Sequence, residues 1–82
     1  MDVNKITALK ALGILARKRR ENLNISQEEL AMRSNLDRTY ISGIERGIRN
    51  PSLTALLSLA NGLNLSISQL LDGLEVGIKS IT

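Results

Sequence analysis

The chain has 82 residues, a formal net charge of +3, and neither cysteine nor histidine. Disulfides, thiolate or imidazole metal sites, cysteine nucleophiles and histidine general bases are therefore excluded. With 43% hydrophobic but only 1% aromatic residues the core must be aliphatic, which suits one small domain of short packed helices better than a sheet.

The first predicted helix covers residues 5–22. Ile6, Leu9, Leu12 (or Gly13) and Ala16 recur at three-to-four spacing and read as its buried stripe. The N-terminal stretch MDVNKITALKALGILA is mildly apolar, but it lacks a basic leader region and a small-residue cleavage pattern, and reads as mature sequence. No apolar run approaches the roughly 18 residues of a membrane span, and a cytoplasmic protein is expected. Arg17, Lys18, Arg19 and Arg20 suit the negative end of the helix dipole. Asn22 and Asn24 mark its end.

Ser26 announces the second helix, residues 27–34, with Glu29 completing a capping-box pattern and Ile25 and Leu30 forming a hydrophobic staple. Asn35 follows, a residue that tolerates left-handed backbone. Asp37 caps the third helix, which runs to about residue 46 with Ile41 and Ile44 inward, and Gly47 closes it. The loop Ile48-Arg49-Asn50-Pro51 leads to a fourth helix capped by Ser52, with Leu53, Leu56, Leu57 and Ala60 inward and an end at Gly62 or Asn64. Ser66 caps the fifth helix, with Ile67, Leu70 and Leu71 inward and Gly73 at its end. The expected fold is all-α with five helices. Residues 5–74 form the domain; residues 75–82 are a short tail or a dimerisation arm.

Basic charge is uneven. Residues 10–50 carry nine Lys or Arg against five acids, a net +4, whereas residues 51–82 carry one base against two acids, a net −1. Either one face meets a polyanion or the charges are an ordinary solvated mixture.

Helices two and three are joined by Asn35-Leu36-Asp37, a link that holds two short helices at a steep angle. Ala31 must be small for helix three to approach, Asn35 takes the turn, and Leu30, Ile41 and Ile44 fill the wedge. Counted from Gln27, the small residue is fifth, the turn residue ninth and the two isoleucines fifteenth and eighteenth. That is the spacing of a helix-turn-helix, over residues 26–46. The turn position, usually glycine, is asparagine here.

With SQEELA, IERG, RNPS and LANGLNLSISQLL in these places, residues 10–74 resemble the helix-turn-helix domain of the lambda/434 repressor–Cro class, often called the Xre family. Within it, NLDRTYISGIERGIRNPS resembles the controller proteins of restriction–modification systems, although similar strings occur in phage-type and antitoxin-type relatives. The resemblance implies a lambda-repressor-like fold and roles for particular residues. Gln27 would hydrogen-bond a DNA phosphate. Arg38, Thr39, Ser42 and Gly43 face outward on helix three, whose first turn enters the major groove in this class. Arg38 would grip guanine, or else pair with Asp37 or another acid. Thr39 could offer its methyl to thymine. Gly43 permits close approach, either of DNA or of a neighbouring helix. Tyr40 either packs partly or contacts the DNA backbone. Arg46, Arg49 and Asn50 would follow the phosphates, Arg49 with a groove edge as its other option. Arg20 and Glu45 match a family ion pair that orients helix three. Arg19 stands where relatives are often apolar.

The expected function is a sequence-specific regulator of transcription that binds double-stranded DNA. It would act as a homodimer on a palindromic operator, blocking or recruiting RNA polymerase, without an enzymatic activity, metal, cofactor or small-molecule ligand. Leu70, Leu74, Val76 and Ile78 are apolar candidates for the dimer interface. The alternative is an antitoxin that binds both a toxin and operator DNA.

Overall fold

The computed structural model describes residues 4–81, which form six α-helices and no strand: α1 (Lys5–Asn22), α2 (Gln27–Ser34), α3 (Arg38–Glu45), α4 (Leu53–Gly62), α5 (Ile67–Leu70) and α6 (Leu74–Ile81). Residues 1–3 and 82, at the ends of the N-terminal stretch and the C-terminal arm considered above, lie outside the described residues.

Local signals set most boundaries. At the start of α1 the Asn4 side chain accepts hydrogen bonds from the backbone N–H groups of Ile6 and Thr7. Ser26, Ser52 and Ser66 accept from the N–H groups of Glu29, Ala55 and Gln69, satisfying donors that a helix start leaves open. The reciprocal capping box forms at Ser66 and Gln69, not at Ser26 and Glu29. The Glu29 carboxylate is taken instead by Arg33 one turn later, at 3.0 Å. Asp37 occupies the N-cap position of α3 but its side chain makes no capping bond, so the first-turn N–H groups of that helix are not closed by a carboxylate. Each of the first five helices stops at a residue with left-handed backbone: Asn24, Asn35, Gly47, Asn64 and Gly73.

The core joins Leu12 and Ala16 of α1, Leu30 and Ala31 of α2, Ile41 and Ile44 of α3, Leu59 and Ala60 of α4, Leu63 just after it, and Leu70 of α5. α1 packs against α3 and α6, α2 against α3 and α4, and α5 against α4. Two faces differ from the sequence expectation. On α1 the buried residues are Thr7, Ala11, Leu12, Gly13 and Ala16, and Ile6 is exposed. This small-residue face admits two helices at close range: a Cβ on Gly13 would lie 2.5 Å from the Glu45 carbonyl oxygen and 2.6 Å from that of Ile44. On α4, Leu53 and Leu57 point to solvent while Leu59 and Ala60 are buried.

The segment after Gly73 folds back as α6. Ile78 is buried, and Gly77 faces α1, where an added Cβ would lie 3.5 Å from that of Ala11. Two of the expected interface residues are thereby corrected. Leu70 and Ile78 are 0% and 7% exposed within their own chain, so their side chains are used by the core. Leu74 is half-buried against the core and Val76 is exposed. Among the described residues no helix is long and apolar enough to cross a membrane.

Candidate nucleic-acid interface

The turn between α2 and α3 depends on Asn35. Its left-handed backbone (φ 56°) reverses the chain, letting the Leu36 N–H donate to the Ala31 carbonyl at 3.0 Å and the Asn35 N–H to that of Met32 at 3.4 Å. Leu30, Ile41 and Ile44 are fully buried in the wedge, and Ala31 nearly so. Burying Ile41 and Ile44 turns the opposite side of α3 outward.

That side starts with Arg38 and Thr39, both exposed, in the first turn. An ion pair could restrain Arg38: its Nε lies 4.0 Å from Glu28 Oε1. Both side chains are more than half exposed, and a solvated pair at that distance contributes little. Arg38 is thus free to reorient. Tyr40 and Ser42 are half-buried, and Tyr40 packs against the edge of the core. Arg46, Arg49 and Asn50 are exposed at the end of α3 and in the loop after it. Met32, Asn35, Asp37, Arg38, Thr39, Tyr40 and Arg49 line one open groove.

Gly43 also lies on this side, yet it is buried, and its cover is not a neighbouring helix. The three atoms that a Cβ there would meet first all belong to the Arg49 side chain: Cγ, then Nε at 3.3 Å and Cδ at 3.4 Å. The guanidinium carbon of Arg49 is 5.7 Å from the Tyr40 ring centroid, within cation–π range.

Behind the outward face a buried clamp fixes α3. Arg20 Nε donates to Glu45 Oε2 at 2.7 Å and Nη2 to Oε1 at 3.0 Å, a two-pronged pair with side chains 12% and 2% exposed. Arg20 Nη1 donates to the Ile25 carbonyl at 2.9 Å, so one guanidinium joins α1, the loop before α2 and the end of α3. The hydrogen bond to Glu45 raises the Arg20 pKa above its ordinary value, against the effect of burial.

Gln27 belongs partly to this clamp. Its Nε2 donates to Glu45 Oε1 at 3.1 Å, so the side-chain amide is held inward instead of standing free at the start of α2. Arg19 is a second connection that sequence reasoning missed: its Nη2 donates to the carbonyls of Gln69 at 3.2 Å and Asp72 at 3.5 Å. The Gln69 carbonyl also accepts from the Asp72 N–H at 3.3 Å, so Arg19 adds a second, charged donor to the turn that ends α5, but no spacing rule relates residue 19 to residue 69.

Comparison with known proteins agrees with this geometry. A helix-turn-helix family model matches residues 17–70. The control protein C.SmaI of Serratia marcescens is 44% identical over 80 residues, spanning 98% of this chain and 87% of that relative. The crystal structure of the restriction–modification controller protein C.AhdI from Aeromonas hydrophila superposes with a TM-score of 0.74 at 44% identity, covering 76% of this chain and 94% of the other. That of the controller protein C.Esp1396I, a tetramer in complex with its natural 35 base-pair operator, superposes with a TM-score of 0.80 at 39% identity, covering 88% and 95%. The chain belongs to the helix-turn-helix family of restriction–modification controller proteins.

Proposed function

We propose that this protein is a sequence-specific regulator of transcription, binding a palindromic operator as a homodimer in a restriction–modification system and blocking or recruiting RNA polymerase there. The observation that carries the reading is the outward side of α3: exposed, weakly restrained Arg38 and Thr39 lead a helix held rigidly from behind by Arg20 and Glu45. A mobile guanidinium on a fixed helix can search for guanine O6 and N7 without moving the scaffold. In this reading Arg38 and Thr39 read bases. Ser42 and Tyr40 lie beside them, and Arg46, Arg49 and Asn50 meet the backbone or a groove edge. Gln27, its amide nitrogen engaged by Glu45, retains its carbonyl end and the helix N-terminus, and the latter is the part that suits a phosphate.

Residues 5–74 would form the DNA-binding domain, with α6 packed on α1 as part of the same body, working in the cytoplasm as a binding protein and not as an enzyme. Two such domains would place their reading helices about one DNA turn apart. Leu53 and Leu57 lie one turn apart on α4 and are both exposed, and we assign the dimer contact to this apolar pair, with Val76 and Leu74 as a lesser contribution from α6. The antitoxin reading is weaker: of the two stretches that could grip a toxin, the first five residues and residues 74–82, the second is packed on α1 as α6.

Footprinting on the genomic DNA that flanks the gene tests this function. Two protected half-sites related by a dyad, about one turn apart, are expected. Uniform, sequence-independent protection would overturn the reading.

A further inference from the structure

Gly43 is an expensive choice for the middle of α3, since glycine disfavours helix relative to alanine. It is not among the residues with positive φ, so its backbone needs no special freedom. What the missing side chain provides is room for Arg49.

Three features draw Arg49 back onto the helix. The N–H groups of Ile48 and Arg49 both donate to the Gly43 carbonyl, at 3.0 and 3.3 Å, which fastens the start of the loop. The aliphatic stem of Arg49 then passes so close that a Cβ on residue 43 would clash with its Cγ. Finally the guanidinium rests by the ring of Tyr40, one turn earlier on the same helix. Arg49 consequently shares a groove with Arg38 and Thr39, although it lies outside α3 in sequence.

We propose that Gly43 is a seat for Arg49, placing in advance, on the reading side of α3, the guanidinium that the proposed function already assigns to DNA. The inference rests on the DNA-binding reading above. Gly43 acts here as a positioning residue and Arg49 as the contact residue. An arginine ordered only on binding loses its rotamer freedom at that moment, whereas a seated one has already lost it.

The test is a double-mutant cycle with Gly43→Ala, Arg49→Ala and both together, measuring affinity for a duplex selected by the wild-type protein from a random pool. Gly43→Ala should weaken binding about tenfold, the range of one charge-assisted hydrogen bond. In the Arg49→Ala background the same change should have less than about a twofold effect. The melting temperature of Gly43→Ala should equal or exceed that of the wild type, because alanine is the better helix former. Equal weakening in both backgrounds would mean that the new methyl meets DNA directly, and would overturn the seat as the reason for the glycine; no weakening at all would overturn it too. The free protein gives a readout independent of DNA. Ring-current shifts from Tyr40 should displace the Arg49 side-chain proton resonances in the wild type and vanish in Gly43→Ala. Unshifted wild-type resonances would remove the seat even if DNA binds normally. A wild-type protein that selects no duplex would remove the DNA contact while the resonances still decide the seat.

Discussion

Glu45 accepts hydrogen bonds from both Arg20 and Gln27 with its carboxylate nearly buried. Replacing it by alanine strands the Arg20 guanidinium in a partly buried place with only the Ile25 carbonyl left to it. Glu45→Ala should therefore lower stability by about 3–5 kcal/mol in denaturant titrations. Arg20→Lys should not be conservative, since an ammonium cannot form the two-pronged pair while also reaching Ile25. Because Glu45 raises the Arg20 pKa, the part of this contribution that depends on Arg20's charge persists through the ordinary arginine range and is lost as pH rises through the raised value. Gly13 stands at the same end of α3. An added methyl would press on the carbonyl oxygens of Ile44 and Glu45, which are backbone and cannot step aside. Gly13→Ala should destabilise by about 1–3 kcal/mol in the same titration, the opposite sign from Gly43→Ala, where the obstacle is a movable side chain.

At the scale of the element, the left-handed stops carry testable weight. Asn35 turns the chain between α2 and α3 at φ 56°. Asn35→Ala should lower stability by about 1 kcal/mol, while Asn35→Gly should be neutral or mildly stabilising, both read by thermal melting. Such positions were legible in the sequence because their causes are local. Ser26, Ser52 and Ser66 cap from their own side chains, and Asn35, Gly47 and Gly73 stop helices through their own φ. What needed a distant partner was not legible. The buried side of α1 is set by α3 and α6 packing close on small residues, so the large Ile6 that suggested a core stripe is turned outward. α6 docks Ile78 and Gly77 onto α1; Leu74, Ile78 and Ile81 do recur at helical spacing, but that periodicity gives a helix with an apolar side and does not name α1 as its partner. The outward grouping of Arg38 and Thr39 follows from Ile41 and Ile44 facing inward. The bonds from Arg19 to α5 and from Gln27 to Glu45, and the seat of Arg49, join side chains to partners that sequence spacing does not identify.

The whole molecule divides into a basic half containing the helix-turn-helix and a remainder with slight negative charge, +4 over residues 10–50 against −1 over residues 51–82. DNA would be drawn to the first. The second, which includes α4, holds the exposed Leu53 and Leu57. If the dimer forms there, Leu57→Glu should shift the protein to monomer in sedimentation at micromolar concentration and Val76→Glu should have the smaller effect; the reverse order would move the interface to the C-terminal arm. The central claim is that the first turn of α3 reads sequence. Selection of bound DNA from a random pool, carried out in parallel with wild-type protein and Arg38→Ala, tests it most directly. The account predicts a two-fold-symmetric consensus for the wild type, with preference lost at one symmetry-related pair of base positions in Arg38→Ala, each such base contributing roughly 1–3 kcal/mol of discrimination. An unchanged consensus in Arg38→Ala, or no consensus for the wild type, would contradict it.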